Sequence, residues 1–183
     1  MKYISSEVKY FSFLRPFYEI KIAQMFSKYA KKYFTNFSSC NTNFKIFSSE
    51  KKNTYWCNNC PKCAFVYAIL RPYLTKDETL SIFGKELYED TSLEMLFREL
   101  AGISGIKPFE CVGTNEEVIL AMKMAYDKWE GKNPFILEIF KNQIHSNMSE
   151  NDFEKLKSKL MTPNFEENII PNNLLEELKN LIL

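Results

Sequence analysis

The stretch YWCNNCPKCAFVYAILRP, residues 55–72, places three cysteines within seven positions and then continues into seven consecutive apolar residues. With Cys40 upstream, the pattern is Cys40-x16-Cys57-x2-Cys60-x2-Cys63. Four thiolates suit Zn²⁺, which prefers a closed tetrahedral sulfur shell; an iron–sulfur cluster is the alternative that four cysteines also serve. A regular helix cannot gather the last three of them. At 1.5 Å per residue Cys57 and Cys63 stand about 9 Å apart, too far for one ion with bonds to sulfur of about 2.3 Å. The chain must turn first. Asn58 and Asn59 tolerate the left-handed backbone of a tight knuckle. Pro61 keeps Cys60 out of helical geometry and suits the first helical position itself. Cys63 then falls in the first turn of a helix that runs to Pro72, where free N–H groups favour an ionised sulfur. A shell of four cysteines leaves no position for water, so the expected role of the metal is structural.

The rest of the chain agrees with a metal-stapled globular protein. Its 183 residues allow one domain or slightly more, and 16 Phe and 10 Tyr supply ample core. An odd cysteine count of 5 argues against a disulfide framework. No apolar run approaches the ~18 residues of a membrane span. Charges at Lys2, Glu7, Lys9 and Arg15 interrupt any signal-peptide core, and the expected location is the cytoplasm.

Helix punctuation is legible on both sides of the knuckle. Pro16 fits the first turn of a helix reaching about Tyr33, with Phe17, Ile20, Ala23 and Phe26 on one stripe. Residues 35–56, rich in Ser, Asn and Thr, read as loop with at most a short strand. Thr75-x-x-Glu78, Thr91-x-x-Glu94 and Thr114-x-x-Glu117 are three successive capping boxes, closed near Gly84, Gly102 and Gly131. Helices from Pro134 to about His145, from Ser149 to about Leu160 and from Pro171 onward complete a mainly α chain. Its one irregular loop is the segment that needs the staple.

Charge is distributed unevenly. Residues 1–62 hold eleven Lys or Arg against three Asp or Glu, a net of +8; the remainder holds thirteen against twenty, a net of −7. The basic first third fits an anionic ligand or an acidic partner surface.

The stretches YFSFLRPFYEIKIAQMFSKY, FSSCN, WCNNCPKCAFVYAILRPYL and GIKPFECVG, in this order, resemble the C-terminal part of the UDP-N-acetylmuramoyl-L-alanyl-L-glutamate epimerases. The resemblance covers about residues 6–145. The cysteine cluster alone is also similar to the zinc site of the 7-cyano-7-deazaguanine synthases and related enzymes of ATP-pyrophosphatase fold. The resemblance implies the C-terminal part of a larger α/β, ATP-pyrophosphatase-like enzyme. Residues 1–74 would be a zinc-binding segment completing the nucleotide domain, and residues 75–183 a helical C-terminal domain. It implies ATP- and Mg²⁺-dependent inversion of the terminal L-Glu of UDP-MurNAc-L-Ala-L-Glu. Adenylation would remove the carboxylate charge that otherwise makes the neighbouring C–H almost non-acidic. One departure matters. Such enzymes carry a Ser-Gly-Gly-x-Asp-Ser-like phosphate loop, and none of the glycines at 84, 102, 105, 113 and 131 belongs to one. The expected partner is therefore a nucleotide-binding part supplied in cis or in trans, and the chain alone is expected to be inactive.

Within that resemblance Lys107, Glu110 and Cys111 of KPFECVG, on a loop feeding a helix start, are the candidate proton-transfer groups. Arg15, with Glu19 one turn on, is the candidate substrate anion site at a helix start. His145, the single histidine, is a weaker candidate near a helix end. The rival class is a zinc-stapled interaction module that binds a partner protein or nucleic acid through the basic first third. No recognised nucleic-acid motif accompanies it.

Overall fold

A computed structural model describes residues 8–42, 55–109, 112–166 and 168–182, with residues 181 and 182 described by their backbone only. Eight α-helices, and no strand, occur among the described residues. They are α1 (Glu19–Tyr29), α2 (Pro61–Leu70), α3 (Lys76–Phe83), α4 (Glu94–Leu100), α5 (Asn115–Asp127), α6 (Phe135–Gln143), α7 (Glu150–Met161) and α8 (Asn172–Ile182).

The run of apolar residues after the knuckle becomes the central helix. Every residue of α2 from Cys63 to Leu70 is buried, as expected of a helix that is apolar on all sides. It packs against α1, α4 and α5, while α7 and α6 close over α5. One continuous apolar cluster runs through this arrangement, from Ile20 and Ala23 through Phe65 and Tyr67 to Ala121, Phe140 and Leu160. Beneath the knuckle a train of rings, Phe26–Phe37–Trp56–Phe83, joins α1 to α3 at centroid separations of 4.6, 5.2 and 5.0 Å.

The boxes at Thr75 and Thr114 form as expected, each with both reciprocal hydrogen bonds. Gly84 ends α3 in the left-handed region at φ 74°. A further box, Ser149 with Asp152, opens α7. Two expectations are corrected. The first helix begins at Glu19 and ends at Tyr29, followed by a separate 3-10 turn at Lys31–Tyr33. Phe17 is drawn into the core and edges against Phe165 at 6.2 Å, and Tyr18 stays extended as the N-cap. Thr91 does not cap α4. The carboxylate of Asp90 accepts from the Ser92 N–H at 3.0 Å and from its hydroxyl at 2.6 Å, drawing Thr91–Leu93 into a 3-10 turn. The strand considered for the 35–56 loop lies largely outside the described residues.

Candidate metal centre

Cys40, Cys57, Cys60 and Cys63 converge, with their four sulfur atoms all within 4.8 Å of one another. Sulfur atoms at tetrahedral corners around a zinc ion with 2.3 Å bonds are roughly 3.8 Å apart. Cys57 Sγ lies 3.6 Å from Cys63 Sγ, and Cys60 Sγ lies 3.4 Å from it. The donor set, its spacing and its depth therefore fit a zinc ion, with Cys40 and Cys63 fully buried and Cys57 and Cys60 half-buried.

The local backbone follows from the residue types. Asn58 takes φ +59°, the only left-handed non-glycine conformation among the described residues, and this reverses the chain between Cys57 and Cys60. Cys60 is extended (φ −97°, ψ 159°) ahead of Pro61, and its sulfur caps α2 by accepting the N–H of Cys63 at 3.5 Å. The N–H of Cys57 points at Cys40 Sγ at 3.4 Å. Cys40 itself is placed by Ser38, whose hydroxyl accepts the Cys40 N–H at 3.2 Å and donates to the Tyr55 carbonyl at 2.5 Å. Asn58 also reaches out of the knuckle: its buried amide donates to the Phe83 carbonyl at 2.7 Å, fastening the end of α3.

The four sulfurs differ in acidity. Burial pushes the thiols of Cys60 and Cys63 up; the Cys57 sulfur adds to this at Cys60, and the sulfurs of Cys60 and Cys40 add to it at Cys63. Burial acts in the same direction on Cys57, but the Asn59 N–H, the Thr42 side chain and the sulfurs of Cys40 and Cys60 outweigh it and bring Cys57 down to about 6. One thiolate, Cys57, thus stands beside the raised thiols of Cys60 and Cys63. A bound cation would be held by all four sulfurs and would displace the remaining thiol protons. The sequence singled out the four cysteines that converge here. It missed the support from Ser38, Thr42 and the Asn58–Phe83 bond, because each joins residues that no spacing rule connects.

The other candidates are distributed elsewhere. Arg15 is exposed and precedes α1 by four residues, and no ion pair joins it to Glu19. Lys107 is half-exposed on the loop between α4 and α5. Glu110 and Cys111 lie outside the described residues. Their loop ends at Gly113, where an added Cβ would stand 2.6 Å from Phe65 Cζ and collide with the Glu117 carboxylate. His145 stacks on Phe153 at 5.7 Å and lies 3.6 Å from Glu150, in a packed cluster at the outer ends of α5–α7.

A family model described as the MurL C-terminal domain matches residues 36–155, which hold all four cysteines and the 107–111 loop. A UDP-N-acetyl-alpha-D-muramoyl-L-alanyl-L-glutamate epimerase from Xanthomonas oryzae pv. oryzae is 34% identical over 153 residues, which are 84% of this chain and 34% of the relative. Enzymes of the same name from a Micromonospora species and from Salinispora tropica are each 38% identical. They match over 122 and 115 residues, or 66% and 63% of this chain and 26% and 24% of those relatives. The chain spans about a third or less of the length of these curated relatives. No solved structure matches.

Proposed function

Because the chain belongs to the MurL family through that family's C-terminal domain, we propose that it is the zinc-holding portion of an epimerase of a peptidoglycan precursor. The reaction is inversion of the terminal L-Glu of UDP-MurNAc-L-Ala-L-Glu to D-Glu, the substrate named by the relatives. The observation that carries this reading is the family match over residues 36–155 together with the four-cysteine cluster inside it.

On this reading Cys40, Cys57, Cys60 and Cys63 hold Zn²⁺, which supplies a cross-link between the 35–56 loop and the start of α2. Lys107, Glu110 and Cys111 are the proposed proton-transfer groups on the loop that Gly113 closes. Arg15 and Glu19 are the proposed contacts to substrate. Residues 1–74 complete the nucleotide domain, and residues 75–183 form the helical domain. The residues present do not fit ATP and Mg²⁺: the five glycines are isolated, and none lies in a phosphate loop. That chemistry belongs to a nucleotide-binding part acting with this chain in the cytoplasm.

The test is reconstitution. Incubated alone with ATP, Mg²⁺ and the L-Glu precursor, the chain is expected to yield neither AMP nor the D-epimer. Joined to the nucleotide-binding part of a relative, it is expected to yield both. Turnover by the chain alone refutes the division of labour. Failure of every properly folded reconstituted enzyme to form the D-epimer refutes the epimerase reading.

A further inference from the structure

The far end of α2 opens onto a cleft that none of these roles uses. It measures about 580 Å³ and lies between the end of α2, the start of α3 and the segment after α5. That volume is in the range of small-molecule sites. At its base Arg71 stacks on the indole of Trp129, its guanidinium carbon 4.4 Å from the ring centroid. Its Nε donates to both oxygens of Glu86, each at 3.1 Å. The pair is largely buried, with side-chain exposures of 14% and 4%, so guanidinium and carboxylate hold each other in place. Arg71 Nη1 donates to the Leu74 carbonyl at 3.3 Å, which leaves Nη2 without an acceptor among the described residues.

The remaining charges decide the class of ligand. Lys76, Lys128 and Lys132 also line the cleft, and none of them forms an ion pair among the described residues. Lys128 is steered across the opening by its bond to the Pro72 carbonyl at 2.9 Å. Against these three ammonium groups stand two carboxylates, Glu89 and Glu130, since Glu86 is committed to Arg71. Unused N–H donors therefore exceed unused acceptors around a stacked, immobilised guanidinium. The Nη2 donors and the ammonium groups are what the oxygens of a carboxylate or phosphate accept from.

We propose that this cleft binds an oxyanion, a carboxylate or phosphate group of a small ligand, on Arg71, Lys128 and Lys132 beside Trp129. The proposal rests on the epimerase reading only for the identity of that ligand, whose precursor carries both groups. The knuckle and the cleft lie at opposite ends of α2. The ten-residue α2 spans about 15 Å with the knuckle at one end and Arg71 at the other, while the Asn58–Phe83 bond ties the knuckle to the strand-free turn that delivers Glu86.

The experiment titrates the full ¹⁵N-labelled chain separately with inorganic phosphate and with L-alanyl-L-glutamate at constant ionic strength. The indole N–H signal of Trp129 is followed, and that of the buried Trp56 serves as internal reference. Millimolar dissociation constants are expected for such small probes, about 1–10 mM, with saturable movement of the Trp129 signal alone. The Lys128→Ala/Lys132→Ala double variant, which leaves the buried Arg71–Glu86 pair intact, is expected to bind at least about tenfold more weakly. Response to phosphate alone assigns the cleft to the diphosphate end, and response to the dipeptide alone assigns it to the glutamate end. No saturable movement with either probe, or equal binding by the folded double variant, overturns the proposal. Failed epimerisation by a reconstituted enzyme leaves this result untouched, so the two readings fail separately.

Discussion

The carboxylate of Glu117 accepts the backbone N–H of Ile20 at 3.1 Å, a contact between residues 97 positions apart in the chain. The same buried carboxylate takes the Thr114 N–H at 2.7 Å and the Thr114 hydroxyl at 3.1 Å. It therefore serves the N-terminus of its own helix and the first turn of α1 at once, where helix dipoles favour negative charge. Glu117→Ala leaves buried N–H groups without acceptors and is expected to cost about 2–4 kcal/mol. Glu117→Gln keeps the shape but has one accepting oxygen, and is expected to cost about half as much. Thermal denaturation checks both; equal Tm values for the wild type and the alanine variant would show that the two helix starts do not depend on this residue.

Gly113 is the counterpart of that arrangement. Its backbone is not left-handed; it is glycine because Phe65 and the Glu117 carboxylate occupy the space of a side chain. Gly113→Ala is expected to destabilise by about 1–3 kcal/mol through overpacking. Pairing it with Glu117→Ala should recover part of this loss, because one of the two clashing groups is gone. A double-mutant cycle measures the coupling, and strict additivity would mean that the contact is absent.

Asn58 does two things that substitution can separate. Alanine loses the bond to the Phe83 carbonyl and must also sit at φ +59°, which costs an L-residue without a helpful side chain roughly 1–2 kcal/mol. Glycine loses the bond but adopts the conformation freely. Asn58→Gly is therefore expected to retain metal and be destabilised by about 1 kcal/mol, with Asn58→Ala lower in both stability and metal affinity. Identical behaviour of the two variants would remove the backbone part of the argument.

Such local features are the ones that sequence reveals. The knuckle turn at Asn58, the start of α2 at Pro61 and the boxes at Thr75 and Thr114 all depend on residues within a few positions of one another, and all formed as read. The cysteine cluster is legible because the knuckle fixes three of its members, leaving Cys40 as the natural fourth. Other features depend on tertiary packing. Glu117 reads as half of a capping box, but nothing in the sequence tells that its second oxygen serves Ile20. Arg71 reads as the residue that ends α2; its stack on Trp129 and its pair with Glu86 require the chain to return twice. Thr91 misled for a local reason: Asp90, one residue earlier, is the stronger acceptor.

Acidity at the knuckle sets the pH dependence of metal binding. Zinc takes thiolates, and near pH 7.5 Cys57, held at about 6, is already ionised whereas Cys60 and Cys63 are pushed up and protonated. Binding must release at least their two protons, so affinity rises with pH, by about 100-fold per unit from these groups alone. As pH falls through about 6 the Cys57 thiolate is lost as well, and the dependence steepens. Metal-linked stability is thus greatest in mild alkali and lost on acidification. Competition with a chelator at several pH values gives the slope; a pH-independent affinity between 6.5 and 8 would contradict the four-thiolate shell. Cys60→Ser should abolish stoichiometric zinc. Losing several kcal/mol of coupled folding energy at about 3 °C per kcal/mol lowers the Tm by roughly 10 °C or more.

The 107–111 loop poses the sharpest chemical question, because it combines an amine, a carboxylate and a thiol in five positions. A thiolate is a competent base toward an activated α-proton, and a loop entering a helix N-terminus lowers a thiol pKa toward the working range. Lys107 and Glu110 compete for the same role. The loop leaves two apolar side chains, Ile106 and Phe109, fully in solvent, while its exit at Gly113 is locked against Phe65 and Glu117. The anchored exit and the two uncovered apolar side chains support the proposal that another part of the enzyme completes a site here. In the reconstituted enzyme, Cys111→Ala is expected to abolish solvent-deuterium incorporation at the glutamate α-carbon while AMP release continues. Lys107→Ala and Glu110→Gln, made in parallel, should each retain exchange if the thiol is the base. Should the cysteine variant exchange and invert at the normal rate while one of the other two does not, that residue takes the role. If all three variants turn over normally, proton transfer lies outside this loop.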